Sequence, residues 1–172
     1  FMKRMILLSL FCLAGIVMAN AQKFALIDME YIMENIPEYQ QANNELELAS
    51  QQYQKAVEAK AKEAEALYLA YQKAANTLSA TQRTQKEEAI VAKEREAAEL
   101  RKKYFGPEGE MAQKQEALIA PIQNRIYEAV KQISSQKGYD AVIDRASATS
   151  IIFASPRIDI SNEVLAKLGY SN

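Results

Sequence analysis

The sequence predicts an α+β protein, mostly α, with a long antiparallel coiled-coil helical hairpin arm on a small β body. Three observations predict it. Five glycines and four prolines punctuate 172 residues, so elements should be long and uninterrupted. A heptad seam runs through the middle of the chain. Short apolar runs of strand character lie near its two ends.

The first segment stands apart from the fold. Met2 reads as the initiator, and Lys3 and Arg4 form a positive n-region. An apolar run from Met5 to Met18 follows, short for a bilayer span. Ala19-Asn20-Ala21 then supplies the small-x-small pattern of a signal peptide, so cleavage is expected after Ala21, a membrane anchor being the other reading. Cys12 lies inside the apolar run behind Leu10 and Phe11, unlike a lipoprotein cysteine. Cleavage removes this sole cysteine, and the mature chain then has no disulfide to staple it.

Residues 22–38 begin the expected body. Phe24-Ala25-Leu26-Ile27 reads as a strand, and Tyr31 to Ile36 as a short helix interrupted near Pro37. Residues 39–136 form the expected arm, rich in Ala, Gln, Glu and Lys. Its first seam is Tyr39, Ala42, Leu46, Ala49, Tyr53, Val57, Lys60, Ala64, Leu67, Tyr71, Ala74 and Leu78. The spacing is heptad-like with one stutter, at Tyr53–Val57. Such a helix is about 60 Å long.

Polar, cap-forming residues from Asn76 to Thr81 mark a turn, placing the arm tip near 76–84. A second seam follows through Ile90, Lys93, Ala97, Leu100 and Tyr104. Gly106-Pro107-Glu108-Gly109 interrupts it, and these residues are expected to act as a hinge. The seam resumes through Met111, Leu118, Ile119, Ile122, Ile126, Val130 and Ile133. Two long helices joined by a short turn pack as an antiparallel hairpin. Many seam residues are Ala, which buries little area, so the outer arm should be weakly held.

The body resumes over 137–172. Tyr139 to Asp144 reads as a strand, Ser147 to Ser150 as a turn, and Ile151-Ile152-Phe153 as a further strand. Ser161 is placed to cap a final helix that Gly169 closes. The two body segments together hold 53 residues, a marginal core with open strand edges. Pairing strands between subunits answers both problems. A homo-oligomer is therefore expected, its body built on Phe24, Leu26, Ile27, Val142, Ile143, Ile151, Ile152 and Phe153.

Composition argues against catalysis. There is no His, and no Cys after cleavage, which removes the commonest acid–base group and the thiol nucleophile. Zinc sites built on His and Cys are excluded, and neither a metal nor a cofactor is expected. Carboxylates mostly alternate with Lys and Arg, as in Lys60-Ala61-Lys62-Glu63 and Glu94-Arg95-Glu96, which read as solvated helix faces with i,i+4 pairing. Without Lys3 and Arg4, 19 basic residues of the 21 face 22 acidic ones, a net charge of −3 with no nucleic-acid signal.

At its ends the sequence resembles the Skp/OmpH family of periplasmic chaperones. Phe24-Ala25-Leu26-Ile27-Asp28-Met29 is similar to the family's first strand. Arg125 to Lys131, leading into Gly138-Tyr139-Asp140-Ala141-Val142-Ile143-Asp144, resembles its last arm turn and second strand. Asp159-Ile160-Ser161-Asn162-Glu163-Val164 resembles the entry to its terminal helix, whereas the middle shares only composition. The resemblance implies a jellyfish-like homotrimer whose β-barrel body carries three arms around a cavity. It implies a periplasmic, ATP-independent holdase for unfolded outer-membrane proteins. The best-known members are strongly basic, which suits anionic lipid, and this chain is not.

A holdase needs exposed, adaptable apolar surface. Leu67, Tyr68, Leu69 and Tyr71 form a candidate client-binding patch on the outer arm, seam packing being the plainer reading of Leu67 and Tyr71. No acidic residue falls between Glu65 and Glu87, whereas Lys73, Arg83 and Lys86 do. The tip is thus locally basic, open to an anionic client segment or lipid surface, or simply a solvated turn. A second function class is a structural coiled-coil protein of the cell envelope.

Overall fold

The computed structural model describes residues 22–170; the expected signal peptide, Cys12 and the cleavage point after Ala21 lie outside the described residues. The chain divides into two compact units. One comprises the chain up to Glu30 together with the chain from Glu128, and the other spans Tyr31–Tyr127.

The first unit is organised on two strands, β1 (Phe24–Ile27) and β2 (Ala141–Asp144). They pair in parallel, Phe24 opposite Ala141 and Ile27 opposite Asp144. Parallel pairing demands a long crossover, and here everything between the strands serves as one. Ala25, Leu26 and Ile27 are all buried, as expected of a strand covered on both faces. Ile133, Ile160, Val164 and Leu165 complete the aliphatic core. The last two belong to the terminal helix Ser161–Leu168, which Gly169 ends in the left-handed conformation at φ 90°.

Specific polar bonds tie the unit together. The Ile160 amide donates to the Leu26 carbonyl at 2.9 Å, extending β1's pairing beyond β2. Asp144 Oδ1 accepts from the Met29 amide at 3.1 Å and so caps the helix Met29–Glu34, α1. Burial pushes the Asp144 carboxyl up, but bonds from Met29, Ser147 and Ala146 together outweigh it and hold it below its ordinary value. Arg145 bridges Asp28 at 3.2 Å and Asp159 at 3.5 Å.

Two expectations are corrected here. Ser161 does not cap the terminal helix, because it is the first helical residue and Ile160 is the N-cap. Its hydroxyl instead accepts from the Asp28 amide at 2.8 Å. Ile151–Phe153 forms no strand, because among the described residues no segment offers it a ladder of amides and carbonyls.

The second unit is helical. Pro37 opens α2 (Pro37–Ala74) rather than ending a helix, since its missing N–H costs nothing in the first turn. After a short turn come α3 (Ala80–Phe105) and α4 (Glu110–Lys137), the latter continuing past Tyr127. Ser79 caps α3 with a capping box: its hydroxyl accepts from the Gln82 amide, and its own amide donates to the Gln82 side-chain oxygen. Pro121 sits inside α4, where it removes one helical hydrogen bond. The seam reading holds closely: of the twelve positions on α2 and the turn after it only Leu67 is exposed. The buried seam residues of α2 are alanines (Ala42, Ala49, Ala64), with Ile90 from α3 and Ile122 and Ile126 from α4.

Candidate functional site

Cross-helix pairs fix the hairpin's course. Descending α2, Tyr71 meets Glu87, Tyr53 meets Tyr104, Glu45 meets Lys114, and Glu38 meets Arg125. Falling numbers on α2 face rising numbers on α3 and α4, so the packing is antiparallel.

At the tip, Lys73, Arg83 and Lys86 are all exposed. Lys73 lies in the last turn of α2, where a cation complements the helix dipole. Of the expected client patch, Leu67 is 40% exposed, and Tyr68 and Leu69 are each 48% exposed. Tyr71 separates from them. It is half-buried and its hydroxyl is engaged by the Glu87 carboxylate, which pushes the phenol's pKa up. The structure thus places three of the four residues at the surface and gives the fourth to the seam.

Below the patch lies a charge cluster. The two lysines on the seam, Lys60 and Lys93, share two carboxylates: Lys60 and Lys93 each reach Glu63 at 3.2 Å, and they reach Glu96 at 3.6 and 2.9 Å. Bonds from Lys60 and Lys93 hold Glu63 below its ordinary pKa, and a bond from Lys93 does the same for Glu96. Pairing within each helix is i,i+3, and the cluster spans both helices, which a reading of each segment as a solvated face does not reveal.

Next comes the Gly106–Gly109 break. Tyr53 stacks on Tyr104 with ring centres 4.1 Å apart and meets Phe105 edge-on at 6.3 Å. An open groove of about 470 Å³ beside it is lined by Gln54, Val57, Glu58, Ala61, Arg101 and Phe105. Further exposed apolar residues on the hairpin are Leu48, Val91 and Tyr127. Sequence reasoning passed over them, although the periodicity that set Tyr68 apart from the seam also leaves Leu48 and Val91 outside it.

In the strand unit the expected oligomerisation residues divide. Leu26 and Ile27 are buried, and Val142 and Ile151 are half-buried. Phe24 and Ile143 are exposed, and Ile152 and Phe153 stand out at 101% and 84%. Four apolar side chains of one small unit therefore face outward.

Among the described residues no helix is long and apolar enough to cross a membrane, and no group of acidic residues is arranged to hold a metal ion.

Comparison with known proteins agrees across nearly the whole chain. The family model described as outer membrane protein (OmpH-like) matches residues 23–168. The chaperone protein Skp of Yersinia enterocolitica is 27% identical over 156 residues, covering 91% of this chain and 92% of that protein. A crystal structure described as that of an OmpH-like outer membrane chaperone from Caulobacter crescentus superposes with a TM-score of 0.66. It is 13% identical and covers 86% of this chain and 83% of that one, so the likeness is one of fold.

Proposed function

We propose that this chain, which belongs to the OmpH-like outer membrane protein family, is a periplasmic chaperone that holds unfolded outer-membrane proteins without ATP. The observation that carries the reading is the family match over 23–168, which spans both the strand unit and the hairpin. The Skp relative carries the chaperone role in its name.

In this reading the chain is exported, loses its signal peptide, and forms a homotrimer. Ile152 and Phe153, exposed in one chain, are the residues that strand pairing with a second copy would cover. The hairpins then enclose the client. Capture rests on many weak apolar contacts, with Leu67, Tyr68 and Leu69 among them, and on charge attraction near Lys73, Arg83 and Lys86. Those bases also suit an anionic lipid surface. Clients are recognised by unfolded apolar chain rather than by one motif, so no single arm residue is essential.

Light scattering on the mature protein, alone and with one urea-diluted outer-membrane barrel protein, tests this. The expected result is a trimer that gains the mass of a client and prevents its aggregation. A monomer, or a trimer that leaves aggregation unchanged, would overturn the reading. Tight co-fractionation with the outer membrane without client capture would point to a structural envelope role. Deleting residues 71–86 should weaken capture more than any point substitution within them.

A further inference from the structure

Three features of the hairpin fall at one level. The α2 seam has its stutter at Tyr53–Val57. The returning chain has its break at residues 106–109, between α3 and α4. An aromatic cluster, Tyr53 with Tyr104 and Phe105, joins them.

The break absorbs a change of register. From Tyr71–Glu87 to Tyr53–Tyr104, 18 residues of α2 face 17 of α3. From Tyr53–Tyr104 to Glu45–Lys114, 8 residues of α2 face 10 of the returning chain. The surplus is taken up by a tight turn. The Gly106 amide donates to the Lys102 carbonyl at 2.8 Å, Gly109 to Gly106 at 2.9 Å, and Gln113 to Gly109 at 3.1 Å. A Cβ at Gly106 would lie 2.4 Å from the Lys102 oxygen, and one at Gly109 2.8 Å from those of Lys103 and Tyr104. Both glycines are there for close backbone approach.

Tyr53 packs on the α3 side of this turn. Its ring lies on Tyr104 and edge-on to Phe105 in the last turn of α3, and the Glu110 carboxylate at the start of α4 pushes its phenol's pKa up. Glu110 takes Lys103 at 3.2 Å, a link across the break, and the Lys103 ammonium lies 5.4 Å from the centre of the Tyr104 ring. Meanwhile α2 runs through the level without interruption, so the outer hairpin swings against the inner only where α2 itself bends. A stutter is the place where coiled-coil phase slips and helix pairing is least constrained.

We propose that this level is a latched joint in which Tyr53 is the bolt: it fastens the end of α3 to α2 at the stutter, where the Lys103–Glu110 pair carries the link on to α4, and its release frees the outer hairpin to bend there. Its use rests on the holdase reading, since a container for clients of different sizes benefits from an arm that is stiff until one contact gives. The joint itself is read without any client.

Amide hydrogen exchange on the full chain tests it. In the unaltered protein the amides of Gly106, Gly109 and Gln113 should be protected. Tyr53→Ala should speed their exchange about tenfold, and Tyr53→Leu, which keeps an apolar side chain and loses the stack, about threefold. The amides of Arg145 and Ile160 should stay unchanged in both. An unprotected break in the unaltered protein would mean a free hinge and would overturn the latch. Equal rates in Tyr53→Ala would overturn it as well. If Tyr53→Ala unfolds the whole chain, Tyr53→Leu decides: faster exchange confined to the break supports the latch, and none refutes it. Failure of client capture would leave these rates standing, so the two readings fail separately.

Discussion

In the strand unit, Ala25, Leu26 and Ile27 of β1 are buried, as are Ile160, Val164 and Leu165. In the hairpin, the buried residues of α2 are alanines, and of α3 only Ile90 is buried. The strand unit also spends its polar groups on particular partners far apart in sequence, such as Asp28 with Ser161 and Met29 with Asp144. The hairpin spends most of its own on neighbours one turn away or on charges of the facing helix. One region is specified by individual contacts and the other by a repeating pattern. Damage should therefore be local and graded in the hairpin, and cooperative in the strand unit.

The largest expected effect follows directly. Leu165→Ala empties a site only 3% exposed and should cost about 3 kcal/mol, lowering the melting temperature of the strand unit as a whole. A loss below about 1 kcal/mol would mean the core collapses around the gap and the contrast is overdrawn.

Glycines sharpen the comparison next. Gly106→Ala should cost about 2 kcal/mol, because its Cβ meets a backbone oxygen that has no rotamer to escape into. Gly138→Ala should cost about 1 kcal/mol for a different reason: its surroundings are open but its φ is +68°. Thermal unfolding followed by circular dichroism ranks the two. The reverse order would show that the break has slack.

Ala64→Gly probes the alanine seam. It should cost about 1 kcal/mol by helix propensity, and amide exchange should report it around residue 64 and its α3 partners, leaving Ile160 unmoved. A change reaching Ile160 would mean that the hairpin and strand unit unfold together.

This contrast also explains what the sequence made legible. The hairpin was readable because a seam is a pattern: spacing alone placed eleven of the twelve α2-side residues at or near the interface, with Leu67 the exception. The strand pair β1 and β2 was readable from apolar runs. Ile151–Phe153 was not, because an apolar run shows the wish for a partner and not whether the same chain provides one. Ser161 was misread for a related reason. A hydroxyl before a helix is a good cap on local grounds, and only the fold shows the Asp28 amide competing for it. Of the candidate client patch, Tyr71 went to the seam while Leu67, a seam residue, stayed exposed. The Tyr53–Tyr104 stack joins residues far apart in the chain, and only the stutter hinted at that level.

Acid should act on the strand unit through Asp144. Its folded pKa lies below the ordinary value of about 3.9, so the stabilisation it gives is complete above that value and is lost as pH falls through the folded pKa. Asp144→Ala should cost about 1 kcal/mol near neutral pH by uncapping α1, and should flatten the dependence of stability on pH below 4. An unaltered acid profile in the variant would assign the dependence to other carboxylates.

Salt should separate the regions by the smallest margin. The Lys60–Glu63–Lys93–Glu96 cluster is between a third and a half exposed, and each contact is an ordinary surface pair. The Arg145 bridge to Asp28 and Asp159 uses carboxylates only 22% exposed. Screening reaches exposed pairs first, with a Debye length of about 3 Å at 1 M salt. Raising sodium chloride to 1 M should therefore speed amide exchange on the turns of α2 and α3 around Lys60 and Lys93 while the Arg145 amide stays unmoved. Two seam lysines facing each other need these carboxylates, so Glu63→Gln with Glu96→Gln should produce the same local loosening at low salt, and added salt should then partly restore protection by screening the lysines from one another. If salt instead loosens the doubly substituted chain further, the seam lysines are solvated outward and the cluster does not hold the helices together.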